Sequence, residues 1–148
     1  MEVLDRVSAI LQQKGGEIWT IGPGETVYDA LALMASKQVG ALLVTEGAEL
    51  VGVLSERDYA RKIILKGRSS KETKVREIMA SPAVTIPMDC SVDQAMRIMT
   101  EHRVRHLPVI NKAGGLAGLV SIGDLVKWII TSQEETIQQL HSYIAGNV

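Results

Sequence analysis

Phenylalanine is absent from the 148 residues, and tryptophan and tyrosine together bring aromatics to only 3%. The core must therefore be aliphatic and methionine-filled, and stacking platforms for single-stranded nucleic acid are scarce. Cys90 is the single cysteine, which excludes a disulfide framework and any CxxC-type redox or metal motif. A lone cysteine is reactive only in an accessible, electropositive setting and is otherwise a bland packing residue. Although 46% of the chain is apolar, no run approaches the ~18 residues needed to span a bilayer. The opening stretch MEVLDRVSAILQQKGG carries acids and polar residues on a helical period, unlike a secretory signal. A cytoplasmic protein without a membrane partner is expected. Sixteen basic against seventeen acidic side chains leave a net charge of −1, so there is no global attraction for nucleic acid or anionic lipid. No nucleophile–base pair, metal set or GxxxxGK[ST] loop is visible, and the expectation is a protein that is not an enzyme.

What the chain does have is an internal repeat. Moving it by 65 positions carries Thr20-Ile21 onto Thr85-Ile86, Val27 onto Val92, Ala30 onto Ala95, Met34 onto Met99, Val39 onto Val104, Leu42 onto Leu107 and Val44 onto Val109. After one extra residue near Gly114-Gly115, Gly52, Ser55, Asp58 and Ile63 fall on Gly118, Ser121, Asp124 and Ile129. Insertions belong in turns, and this one separates two apolar runs.

Each copy reads as β-α-β-β-α. The first strands are Trp19 to Ile21 and Val84 to Ile86, and helices open at Thr26-x-x-Asp29 and Ser91-x-x-Gln94, where a hydroxyl can satisfy free helix N–H groups. Val27, Ala30, Leu31 and Met34, like Val92, Ala95, Met96 and Met99, recur at helical spacing and mark core positions. Hairpins follow, Ala41 to Val44 with Leu50 to Leu54, and Leu107 to Ile110 with Leu116 to Val120. The second helices start just after Ser55 and Ser121. Neither copy can cover both faces of its own sheet, so the α/β (α+β) fold expected is a pair of repeats packed with pseudo-two-fold symmetry. The segments are an N-terminal helix in 1–16, built on Val3, Leu4, Val7, Ile10 and Leu11, repeat one in 17–66 and a polar linker in 67–77. Repeat two occupies 78–131, and a C-terminal helix in 132–148 aligns Ile137, Leu140 and Ile144 on one stripe. Such a stripe usually covers the parent core, and an additional role in stabilising a dimer is the alternative.

The most informative phrases are GVLSERD, from Gly52, and GLVSIGD, from Gly118. Ser-x-x-Asp at a strand-to-helix junction is first of all a helix cap. Three features extend that reading. Gly inside a strand marks close approach by a ligand or another backbone. A carboxylate at a helix start offers two acceptor oxygens to the cis-diol of a ribose, and helix N–H groups beside it can receive phosphate oxygens.

A duplicated β-α-β-β-α unit ending in Gly-h-h-Ser-x-x-Asp resembles the CBS domain pair, or Bateman module, over about residues 18 to 130. The stretches SERDYARK and MTEHRVRHLPV are similar to those of small stand-alone bacterial CBS-pair proteins. The resemblance implies two clefts for an adenosine derivative, AMP foremost, with ADP, ATP, NAD and S-adenosylmethionine as alternatives. It also implies a disc-like homodimer and a regulatory role toward a partner protein. Carried over by motif, Asp58 and Asp124 bind ribose, with Ser55 and Ser121 beside the sugar or phosphate. Each cleft is completed by the other copy. Pro82, Ala83, Val84, Thr85, Arg105 and His106 close the Ser55/Asp58 cleft, and Ile18, Trp19, Thr20, Gly40 and Ala41 close the Ser121/Asp124 cleft.

The copies differ in charge. HRVRH, from His102 to His106, places two Arg and two His where the first copy has Lys37-Gln38-Val39-Gly40-Ala41. A solvated surface run is the ordinary reading of such a segment. A metal site on His102 and His106 lacks a Cys or carboxylate partner at ligand spacing. Family geometry instead turns Arg105 and His106 toward the first cleft, where planar guanidinium suits phosphate. Arg57 adds a cation there, against Gly123 in the second copy. The expectation is an asymmetric sensor: a phosphorylated nucleotide at Ser55/Asp58, and a weaker or empty second cleft. The alternative is a ligand-free interaction scaffold in which both Ser-x-x-Asp phrases are caps alone.

Overall fold

Both copies of the repeat build the same unit, and the computed structural model describes residues 5–146. In the first, β1 (Thr20–Ile21) leads through α2 (Val27–Lys37) to the hairpin β2 (Ala41–Glu46) and β3 (Glu49–Ser55), preceded by α1 (Val7–Lys14). After β3 comes α3 (Glu56–Tyr59), which passes without a break into a π-helical stretch, Ala60–Ile64. The second copy runs β4 (Ile86–Pro87), α4 (Val92–His102), β5 (His106–Ile110), β6 (Leu116–Ser121) and α5 (Ile122–Ile144). Among the described residues the strands form two three-stranded sheets, β1-β2-β3 and β4-β5-β6. In each, the short strand is parallel to the middle one and the hairpin antiparallel, with an irregularity at Val44/Thr45 and at Val109/Ile110.

The caps explain the helix starts. Thr26 Oγ1 accepts the Asp29 N–H at 3.1 Å, and Ser91 and Gln94 form a reciprocal capping box. Both helices end on a non-glycine residue in the left-handed region, Gln38 (φ 57°) and Arg103 (φ 54°), which are equivalent in the repeat. Behind the helices lie two aliphatic cores, one around Val27, Met34, Leu42, Leu54 and Ile63, the other around Val92, Met99, Leu107, Val120 and Leu125. Each large apolar side chain buried there contributes about 1.5–3 kcal/mol.

The copies are joined across their sheets. Ala41, Leu43 and Val53 form a third apolar cluster against Ala83, Leu116 and Leu119. Val53 and Ala80 exchange backbone hydrogen bonds of 3.1 and 2.9 Å. The segment that precedes each copy packs on the other one: Val75, Ile78 and Met79 join the first core, and Val7, Ile10 and Leu11 of α1 join the second. This arrangement settles why Gly52 and Gly118 stand inside strands. A Cβ on Gly52 would lie 2.8 Å from both the Ala80 carbonyl oxygen and Met79 Sδ, and one on Gly118 would lie 2.7 Å from Leu11 Cδ2. The close approach is made by the chain itself.

Three boundaries differ from the sequence expectation. Helix α1 starts at Val7, because the Asp5 carbonyl accepts the Val92 N–H at 2.8 Å and Arg6 bridges to Ser91 in extended form. Val3 and Leu4 lie outside the described residues. The polar linker is not loose: Thr73 and Val75 are buried, and their backbones pair with Val27 and Glu25. Finally, α5 crosses the expected boundary at 131/132 as one helix, since no Gly or Pro interrupts it there. Its Ile137, Leu140 and Ile144 do not cover the parent core; they are 56%, 55% and 81% exposed.

Candidate functional site

At the end of β3 the chain must turn into α3, and Ser55 and Asp58 make that turn. Ser55 Oγ accepts the Asp58 N–H at 3.3 Å, while Asp58 Oδ2 accepts the Ser55 N–H and hydroxyl, each at 3.0 Å. This capping box is repeated by Ser121 and Asp124, with 3.1 and 2.8 Å hydrogen bonds. The Glu56 N–H goes to the Gly40 carbonyl at 3.0 Å, as the Ile122 N–H goes to that of Arg105 at 2.8 Å. The caps are therefore real, and they change the expected chemistry. Oδ2 of Asp58 and the amides of Glu56 and Asp58 are already engaged. For an incoming sugar, Asp58 has chiefly Oδ1, which lies 3.4 Å from Lys62 Nζ.

Beside this junction lies a cleft with a cavity of about 110 Å³. Ser55, Arg57 and Asp58 border it from the first copy, and Pro82, Ala83, Val84, Arg105 and His106 from the second. Thr85 is exposed and lies outside the lining. Five further residues, Val53, Arg61, Ala80, Arg103 and Val104, complete the wall. Arg61 was findable from sequence, since it stands one helical turn beyond Arg57. Arg103 belongs to the HRVRH stretch, but its direction depends on the left-handed residue that ends α4. Val53 and Ala80 line the cleft through a backbone pairing that no local pattern announces.

The cleft is electropositive. Arg57 is pulled below the ordinary arginine range, first by Arg61, then by partial desolvation and Arg105, with Asp58 opposing. It remains a cation. His106, largely buried, titrates below the ordinary histidine value; burial is the main cause, Lys14 and Arg105 add to it, and Asp124 and Asp58 oppose it. At neutral pH it supplies a neutral imidazole, one donor and one acceptor. The cleft can therefore hold an anion beside an apolar surface.

The second expected cleft is arranged differently. Lys14 Nζ donates to Asp124 Oδ2 at 2.6 Å and to the Leu119 carbonyl at 2.8 Å. Burial works to raise the Asp124 pKa, but hydrogen bonds from Lys14 and Ser121 outweigh it and hold the carboxyl below its ordinary range. Of the residues expected to close this cleft, Ile18 packs in the cluster between the sheets and Ala41 is buried there. Trp19 packs on the first core, with Lys37 Nζ 4.3 Å from its ring centroid. Thr20 is exposed on β1, and Gly40 borders Glu56 Oε1 and His106 Nε2. Elsewhere, Cys90 is buried and its thiol is pushed up by desolvation and by Asp89, the opposite of an activated cysteine. Among the described residues no three His, Cys, Asp or Glu side chains gather as a metal site, and no helix is long and apolar enough to cross a membrane.

The sequence profile of the CBS domain matches residues 13–65 and 75–131, the two copies described above. The chain belongs to the CBS domain family. Over 95% of its length it is 42% identical to the mitochondrial CBS domain-containing protein CBSX3 of Arabidopsis thaliana, spanning 72% of that protein. It is 32% identical to the CBS domain-containing protein YhcV of Bacillus subtilis, over 80% of this chain and 84% of that one. A CBS-domain protein from Burkholderia ambifaria has a solved structure similar to this CBS pair, with a TM-score of 0.82 and 48% identity over 87% of this chain and 96% of that chain. CBS-domain proteins are regulatory modules, and the architecture here is theirs.

Proposed function

We propose that this CBS pair is a non-enzymatic sensor that holds an adenosine nucleotide in the Ser55/Asp58 cleft and reports its level to a partner protein. One observation carries the reading: the ribose-binding type of carboxylate, an apolar wall and a group of guanidinium side chains converge on one cavity built from both copies. The base packs on Val53, Ala80, Pro82, Ala83 and Val84, the ribose reaches Asp58, and the phosphate faces Arg57 and Arg105. Because the Glu56 amide donates to the Gly40 carbonyl and the Asp58 amide to Ser55 Oγ, phosphate recognition falls mainly to side chains. A ligand that touches both copies shifts the pair only by as much as it prefers one arrangement of them. Calorimetric titration tests the site: Asp58→Ala is expected to weaken nucleotide binding by about 1.5–3 kcal/mol, the range for hydrogen bonds to a charged group. Unchanged affinity removes Asp58 from it.

The second cleft is proposed to be self-occupied, with Lys14 standing where a ligand's hydroxyls would go. The engaged caps favour one competing reading, a ligand-free scaffold. A thermal-shift screen separates the two, since any ligand of the native state must raise its melting temperature. We further propose a homodimer, supported by the exposed apolar stripe of α5 and by the hexameric CBS-CP12 protein of bloom-forming cyanobacteria, 29% identical with a TM-score of 0.75.

A further inference from the structure

The cleft carries more positive charge than one phosphate group can use. Arg57 and Arg61 lie one turn apart where α3 becomes the π-helical stretch, and Arg103 and Arg105 flank Val104 on the way into β5. All four border the cavity, against the single carboxylate of Asp58. Among the described residues none of the four guanidinium groups donates a hydrogen bond or forms an ion pair. Other arginines of the same chain are paired, Arg68 with Glu77 at 2.6 Å and Arg6 with Asp89 at 3.8 Å. Asp58 offsets the group only in part: one carboxylate charge acts on Arg57 against Arg61 and Arg105, and its Oδ1 also faces Lys62 Nζ at 3.4 Å.

Like charges gathered without counterions repel one another, and an anion in their midst removes that cost. A terminal monophosphate carries about two negative charges and three oxygens. Two guanidinium groups, each able to donate two parallel hydrogen bonds, saturate it. With Arg57, beside Asp58 in sequence, and Arg105, whose charge acts on Arg57 from the other copy, assigned to that role, Arg61 and Arg103 are left with no anion to meet. Backbone geometry does not account for Arg103, because its repeat equivalent Gln38 has the same left-handed conformation without a charge. What distinguishes the position is the guanidinium.

We infer that the Ser55/Asp58 cleft selects a nucleoside di- or triphosphate over the monophosphate, with Arg61 and Arg103 as the specificity-determining residues for the phosphates beyond the first. This rests on the nucleotide reading of the cleft and refines its ligand class. The chain then senses the charged end of the adenylate pool and not AMP.

The test is calorimetric titration of the full chain with AMP, ADP and ATP at one ionic strength without divalent cations, for the wild type, Arg61→Gln, Arg103→Gln and Asp58→Ala. ADP or ATP is expected to bind roughly tenfold or more tighter than AMP. Arg61→Gln and Arg103→Gln should each weaken ADP and ATP binding several-fold more than AMP binding and so remove most of that preference, as expected for side chains that act chiefly on the phosphates beyond the first. Both arginines are exposed, so the variants are expected to fold, and their melting curves verify this. Equal affinity for AMP and ATP, or an equal loss for both in the variants, overturns the inference and leaves the nucleotide reading standing. If none of the three nucleotides binds, both fall together.

Discussion

Lys14 Nζ sits 2.6 Å from Oδ2 of Asp124, the carboxylate that corresponds in the repeat to Asp58, and the two residues are 110 positions apart. The same ammonium donates to the Leu119 carbonyl at 2.8 Å. Copy one has no such visitor from a distant segment: Asp58 Oδ1 faces Lys62, four residues along its own helical stretch, and Met79 packs its sulfur over Gly52 as Leu11 packs over Gly118. The module is thus asymmetric twice over, with arginines around one Ser-x-x-Asp junction and a lysine plugging the other. Replacing Lys14 by Met retains the apolar stem and removes the plug. With the second carboxylate released, Lys14→Met is expected to raise the number of nucleotides bound per chain from about one to about two in native mass spectrometry and calorimetry. Because both partners are partly exposed, the loss of stability should stay below about 1 kcal/mol. A stoichiometry that stays at one would show that the second junction is closed by more than Lys14.

His106 gives the module a pH dependence whose sign follows from its depressed pKa. The unfolded chain takes up the histidine proton near pH 6.5, the native protein only at lower pH, because burial, Lys14 and Arg105 oppose the charge more than Asp124 and Asp58 favour it. Glu56 Oε1 also borders the neighbouring Gly40. Between the two pKa values the unfolded state binds more protons, so this contribution to stability is full above about pH 6.5 and lost as the pH falls toward the native pKa. Asp124, held below its ordinary range, acts in a separate window, losing its contribution only as the pH drops below about 4. Denaturant unfolding at pH 7.5, 6.5 and 5.5 should show a decline in the wild type that His106→Gln reduces. The other two histidines are exposed. Identical slopes in the two proteins would count against the buried imidazole as the cause.

The two strand glycines should differ in their tolerance. Gly52 faces a backbone oxygen, that of Ala80, which also holds Val53 through a 3.1 Å hydrogen bond and helps to form the floor of the cleft. The nearest atoms to a Cβ on Gly118 belong to the Leu11 side chain, its Cδ2 methyl first. Gly52→Ala therefore has to push one copy away from the other, at a cost of about 1–3 kcal/mol for overpacking, and should weaken nucleotide binding as well. Gly118→Ala can be absorbed by a rotamer change of Leu11 and should cost less. Thermal melts rank them directly; on the usual scaling for a chain of this size, each kcal/mol lowers the midpoint by about 2–4 °C.

Most of the fold was legible in the sequence because its determinants are local. A hydroxyl three residues ahead of Asp or Gln caps a helix where a strand or loop gives way to it, and Thr26, Ser55, Ser91 and Ser121 all do so. The expected strands and hairpins needed only a residue or two added or removed at their ends. What stayed hidden is tertiary. Nothing near Lys14 announces a carboxylate 110 positions away, and nothing near Gly52 says that its neighbour is the chain's own Ala80 and not a ligand. Arg61 lies between these cases, since i, i+4 spacing from Arg57 put it on the cleft face and only the cleft gave that face a meaning. The expected segment boundary between 131 and 132 falls inside one continuous helix, because Thr131-Ser132 lacks the Gly or Pro that would stop it.

The uninterrupted α5 has a consequence for assembly. Ile130, Ile137 and Ile144 fall seven residues apart, with Val126 and Leu140 interleaved on the same side, and all five are exposed. A repeat of seven is the spacing at which one helix keeps the same seam toward a partner helix, and an isolated stripe of this kind leaves apolar area in water that pairing would remove. The occupant that matches it without further assumption is the α5 of a second copy, since symmetric pairs present one self-complementary patch to each other. A charge placed at the middle of the seam should therefore dissociate the dimer and leave the protomer folded, because Ile137 touches neither parent core. On the proposed dimer, sedimentation of Ile137→Glu is expected to give a smaller species than the wild type at the same concentration, with unchanged far-ultraviolet dichroism. If the variant remains dimeric, the pairing runs through another face, and the exposed groove between α2 and α3, with Tyr59, Ala35 and Gln38 on its walls, is the next to alter.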